Sequence, residues 1–108
     1  MPFPNSPNMR FTLLKVEKER EKFRVTSHRE VIGITRSLTR EEWKSSIETK
    51  IQIDLKVSLN AFIYQEEKFV KLDSSFYKVE RTFISGQSIE LYLGLTSLKE
   101  GDFIWPLT

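Results

Sequence analysis

The sequence predicts a mainly β fold: a small antiparallel β-barrel of six or seven strands with one short helix and extended termini. Three observations point there. Apolar and polar residues alternate at period 2 in several short runs, most clearly in Ile51–Leu59 (IQIDLKVSL). Only one stretch, opened by Thr39, carries helix-start chemistry followed by apolar residues at helical spacing. With 108 residues there is one core, and a sheet of that size hides its edges best by closing on itself.

The elements follow in chain order. Residues 1–9 hold three of the four prolines, so they read as an extended arm or a remnant, with Met9 as an alternative start. Arg10–Val16 reads as a strand, although Phe11, Leu13, Leu14 and Val16 fall on both faces. Glu17–Lys22 is a solvated charge run, EKEREK, read as a loop in preference to a single helical turn. Phe23 and Val25 alternate with Arg24 in a returning strand, and His28 follows as an exposed loop histidine. Glu30–Thr35 is β-branched and reads as a strand, and Gly33 inside it suggests a bulge or the close approach of another backbone. Thr39 and Glu42 match a capping box, with Trp43 and Ile47 one turn apart on one face, so a helix is expected over about 40–47.

In Ile51–Leu59 the odd positions face one way, and Gln52, Asp54, Lys56 and Ser58 the other. Asn60–Glu67 is a connection, Lys68–Leu72 a short strand, and Asp73-Ser74-Ser75 a turn whose side chains bond their own backbone. Phe76–Leu95 reads as a hairpin through Ser85-Gly86-Gln87, with Gly86 supplying the positive φ. On its first strand Tyr77, Val79 and Phe83 share a face. Arg81 falls among them, and a buried arginine needs a partner. Two readings of Arg81 stand: it caps carbonyls at the barrel end, or it meets a carboxylate, including one on another subunit. After 96 comes a tail, 97–108, in which Phe103, Ile104 and Trp105 are too apolar to hang free. They fold back on the barrel or dock on a neighbouring copy.

Composition narrows function by exclusion. The chain has 17 basic and 15 acidic side chains, a net charge of +2, which is a faint footprint for a duplex-DNA binder. Residues 1–50 carry 11 Lys/Arg against 7 Asp/Glu, and residues 51–108 carry 6 against 8, an asymmetry that suits head-to-tail association. There is no cysteine and a single histidine, so thiolate chemistry and multi-histidine metal sites have no donors. The four glycines do not cluster into a phosphate loop. Glu41/Glu42 and Glu66/Glu67 read as a helix first turn and a loop, not as catalytic pairs. No catalytic, cofactor or metal residue is assigned, and the expectation is a non-enzymatic protein without cofactor, membrane span or secretory signal. Phe62, Tyr64, Tyr77 and Tyr92, with Lys56, Lys71 and Lys78, remain as a stacking-and-phosphate set for single-stranded nucleic acid, although the aromatics mostly alternate into core positions and acidic residues interleave with the lysines.

Three stretches carry a resemblance: EVIGITRSLTREEW, in which Ser37, Thr39, Arg40, Glu42 and Trp43 follow the form S-x-[ST]-R-x-E-[FW]; the alternating strand IQIDLKV; and Tyr77-x-Val79-x-Arg81-Thr82 followed by Ile89-Glu90-Leu91. In these, Glu30–Leu93 resembles the head–tail joining family (head closure, stopper or connector) of long-tailed phages. It departs at Ile47–Lys50, where the family often has a glycine or small residue before a Lys-Pro pair, and at Ser74-Ser75, where it often has glycine. The resemblance implies a small barrel that assembles as a ring of six or twelve copies in the virion neck, put together in the host cytoplasm. The portal and adaptor would lie above it and a tail-completion or tail-tube protein below. It further implies a loop at about 36–50, inserted in a barrel domain over 10–96, that faces the channel and touches DNA transiently. Arg36, Arg40, Lys44 and Lys50 would supply the contact, and Phe103, Ile104 and Trp105 are the interface candidates.

Overall fold

A computed structural model describes residues 9–36 and 38–106. Seven strands form one sheet: β1 (Met9–Glu19), β2 (Lys22–Arg36), β3 (Leu55–Asn60), β4 (Phe69–Leu72), β5 (Ser75–Ser85), β6 (Ser88–Leu95) and β7 (Phe103–Ile104). The order is β1-β4-β5-β6-β3-β2-β7, and β1 also pairs β2, so the first six strands close a ring. Every pairing is antiparallel except β7 on β2. The helix α1 (Arg40–Thr49) sits between β2 and β3.

The ring encloses a core of Phe11, Leu13, Val31, Val57, Leu59, Val70, Ile89, Leu91 and Leu93, drawn from five strands. Leu14 is buried as completely as Leu13 but belongs to a second cluster with Val25, Phe69, Phe76 and Phe103. Consecutive strand residues point to opposite faces, so this second cluster lies outside the ring. It is roofed by the C-terminal segment, where the Phe76 and Phe103 rings stack at 4.5 Å. The mixed apolar faces of β1 are thereby explained: both are buried. Phe103 is a core residue of its own chain, not an interface residue, because β7 adds in parallel beside Phe23 and Arg24. Trp105 packs half-buried against Phe103, and its Nε1–H finds no acceptor among the described residues, while Ile104 stays exposed.

Several expectations need correction. The EKEREK run is neither loop nor helical turn. Both strands run through it to a two-residue turn at Arg20-Glu21, with Arg20 at φ 57. Its charges pair across the ladder: Arg24 meets Glu17 at 2.6 Å and Glu19 at 3.8 Å, and Lys18 lies over the Phe23 ring. Composition alone makes such a ribbon look like a loop. His28 is on β2, exposed, edge-on to Trp105. β3 starts at Leu55, not Ile51. Residues 51–54 run extended without a ladder, held by the Asp54 N–H donating to the Leu93 carbonyl at 2.8 Å. The α-helix continues to Thr49, where Lys50 in the left-handed region stops it and the N–H groups of Lys50 and Ile51 turn back to the Ile47 and Ser46 carbonyls.

Two glycines do what the sequence required of them. Gly86 takes φ 62 in the two-residue Gly86-Gln87 turn of the β5–β6 hairpin. A Cβ on Gly33 would meet the Ser58 carbonyl oxygen at 2.8 Å and the Phe11 ring at 2.9 Å, so the close approach is of β3 and the core. Residues 1–8, most of the N-terminal arm, fall outside the described residues.

Candidate interaction surface

Helix α1 buries no residue. Its local signals are the predicted ones. Thr39 is the N-cap, the Glu42 N–H donates to Thr39 Oγ1 at 3.1 Å, and the Thr39 N–H donates to Glu42 Oε1 at 2.8 Å. The orientation was not predicted. Glu42, Ser45, Ser46 and Thr49, four residues on one helix face, line a narrow crevice against Arg81 and Tyr92 of the sheet. At 100° per residue the opposite face is Arg40, Trp43, Lys44 and Ile47. Trp43 is 57% exposed and Ile47 56%. The polar face is docked and the apolar face is turned outward.

What docks the polar face is one carboxylate. Glu42 receives Lys56 Nζ at 2.9 Å and the Tyr92 hydroxyl. Lys56 and Tyr92 are cross-strand neighbours on β3 and β6, Lys56 is only 6% exposed, and its second carboxylate, Glu90, is 3.9 Å away. The Arg81 guanidinium lies 4.9 Å from the Tyr92 ring centre. Burial alone would raise the Glu42 carboxyl. The Thr39 N–H, the Tyr92 hydroxyl and Lys56 outweigh it and hold the pKa at about 2. Burial, then the hydrogen bond to Glu42, push the Tyr92 hydroxyl up.

Within its own chain Arg81 is exposed and lies over the Tyr92 ring, neither capping carbonyls nor meeting a carboxylate among the described residues. A bulge between Val79 and Arg81 gives β5 one extra residue, so Val79 pairs Leu93 while Arg81 pairs Tyr92. The parity flips there: Val79 packs on the inner core, whereas Arg81 and Phe83 lie on the outer face with Tyr92 and Glu90. Phe83 is 56% exposed.

The other sequence candidates divide. Thr39, Glu42, Arg81 and Glu90 meet around Lys56 and Tyr92. Tyr77 and Val79 are half-buried against the inner core, and Thr82 is exposed on the other face of β5. Arg36, Arg40, Lys44 and Lys50 are all exposed, with Arg40 and Lys44 flanking Trp43 on the outward face of α1. Ser37 lies outside the described residues. The stacking-and-phosphate set does not assemble: Lys56 is buried in its ion pair, Tyr92 is buried beneath α1, and the Tyr64 hydroxyl donates to the Glu67 carbonyl at 2.6 Å. Of the four aromatics in that set, Phe62, 83% exposed, is the one free to stack.

Sequence reading missed the Lys56 node, because strand alternation assigns both Lys56 and Tyr92 to solvent. It also missed Glu67, which is buried, accepts from Arg29 Nη2 at 2.7 Å and from the Gln65 N–H at 2.8 Å, and so anchors the loop before β4. Burial, with Glu67 and Glu66 nearby, raises the adjacent Tyr64 hydroxyl to about 12. Among the described residues no cluster of His, Cys, Asp or Glu is arranged to hold a metal ion, and no helix is long and apolar enough to cross a membrane. No family model, curated protein or solved structure matches this chain.

Proposed function

We propose that this chain is a structural subunit of a phage head–tail connector, of the head-closure type. In this reading it forms a ring of six or twelve copies in the virion neck, below portal and adaptor. There it retains packaged DNA and offers the tail-completion or tail-tube protein a docking surface. The observation that carries the reading is the inverted helix α1. A helix that spends its polar face on its own sheet and turns Trp43 and Ile47 outward, between Arg40 and Lys44, is built for contact with something else. One of the three stretches that carry the resemblance runs into this helix, and a small closed sheet suits the architecture it implies. The cations on the outward face suit brief, sequence-independent contact with phosphates.

The test is to add purified protein to heads that carry portal and adaptor but lack this chain, and to image the neck. A ring at the vertex, reduced or lost with the doubly substituted Trp43→Ser/Ile47→Ser protein, supports the reading. A chain that ignores the heads and binds single-stranded oligonucleotide with steep salt dependence overturns it. That outcome would favour the other reading, a small-barrel nucleic-acid-binding module, in which Trp43 between Arg40 and Lys44 is the stacking group.

A further inference from the structure

The ring of strands is closed, yet one strand keeps an open edge. β4 covers β5 only from Ser75 to Lys78, and the last bond on that side is the Val79 N–H donating to the Lys68 carbonyl at 2.9 Å. Beyond the bulge, Arg81–Ser85 runs in regular register with β6 and has no strand on its other side among the described residues. Every residue of this window is exposed, including Phe83 at 56% and Ile84 at 64%, which are neighbours in sequence and so lie on opposite faces. An open edge with apolar side chains on both faces is a template for another strand.

We infer that this edge pairs with the same edge of a second copy, antiparallel about a two-fold axis centred on Phe83. Symmetry and the length of the window set the register. A two-fold that places identical antiparallel strands side by side is perpendicular to the sheet, so like faces continue into like faces and paired residue numbers sum to an even value. Centring the five-residue window on itself gives Phe83 opposite Phe83, Thr82 opposite Ile84, and Arg81 opposite Ser85. Both exposed apolar side chains then gain a neighbour, and no like charges stand directly opposite. Arg81, the single charge in the window, is already drawn over the Tyr92 ring on the β6 side and leaves the edge clear. Five paired residues make a small contact, below the standard size of a stable complex, so the dimer is weak and concentration-dependent.

This pairing goes beyond the ring and does not rest on it. A cyclic ring contains no such two-fold, so the pair is a form of the free protein, and the edge opens if the chain enters a ring. The measurement is mass by light scattering across a wide concentration range. Monomer should pass to dimer as concentration rises. Phe83→Lys places two like charges face to face at the axis and should weaken the dimer at least tenfold, while the buried core is untouched. The chain has no cysteine, so Phe83→Cys gives one thiol at the axis, within about 5 Å of its mate at Cβ. A short bis-maleimide should link it far faster than Phe62→Cys, whose side chain is more exposed but belongs to the loop before β4. Monomer at every concentration, a dimer indifferent to Phe83→Lys, or equal linking rates at the two positions would each overturn the inference. None of these results bears on whether the chain joins a ring on heads.

Discussion

Strand β1 and helix α1 are opposites. At its centre β1 is buried on both faces, with Leu13 in the ring and Leu14 under the C-terminal roof, and neither of these shows any exposed surface. α1 buries nothing, and what holds it is a carboxylate, a lysine and a phenol. The first is stabilised by apolar area and close packing, which tolerate neither cavity nor charge. The second is stabilised by a few directional bonds, leaving an apolar face for use elsewhere. Stability and interaction have been assigned to different elements, so they should be separable by substitution.

The largest effect should come from β1. Leu14→Ala opens a cavity beneath the roof and should cost about 2–5 kcal/mol in urea denaturation, loosening β7 and Trp105 with it. If the cost is under about 1 kcal/mol, the outer cluster is a surface layer and not a second core.

A smaller effect is expected at the helix anchor. Glu42→Gln leaves Lys56 with only the more distant Glu90 and should cost about 1–3 kcal/mol. The loss should fall first on α1, read by Trp43 fluorescence in a Trp105→Phe background. The same group makes the anchor acid-sensitive. Its folded pKa of about 2 lies below the ordinary 4.5. Its contribution is therefore complete above the unfolded value and is lost as pH falls from about 4.5 towards 2. Denaturation midpoints should decline across that window in the native protein and decline less in Glu42→Gln; parallel slopes would show that other carboxylates govern the acid limb.

The smallest effect on stability should come from the outward face. Trp43→Ser should leave stability within about 0.5 kcal/mol, as surface substitutions generally do, while impairing assembly on heads. A large stability loss there would mean that the indole contributes to the isolated fold, and the contrast between the two elements would collapse.

Much of the fold was legible because its signals are local. The Thr39–Glu42 capping box, the Gly86 turn, the alternation in Leu55–Leu59 and the need for room at Gly33 each depend on neighbours in sequence or on a backbone constraint. Charge-pairing along the β1–β2 ribbon was not legible, because EKEREK shows its order only when Arg24 is placed opposite Glu17. The helix anchor was hidden for a similar reason. Glu42, Lys56 and Tyr92 are far apart in the chain, and each has an ordinary local role.

By itself the sequence determined a β-rich chain, the place and start of α1, and the residues that could form a core. Tertiary structure decided three things: that the C-terminal segment roofs the outside of the ring, that a single extra residue at Glu80 turns Arg81 and Phe83 outward, and that α1 lies with its polar face down. The physical reason is common to all three. Periodicity states that a face is apolar or polar but not what covers it. Only the closed sheet, with Lys56 and Tyr92 side by side on its outer wall, makes docking a carboxylate more favourable than docking a tryptophan.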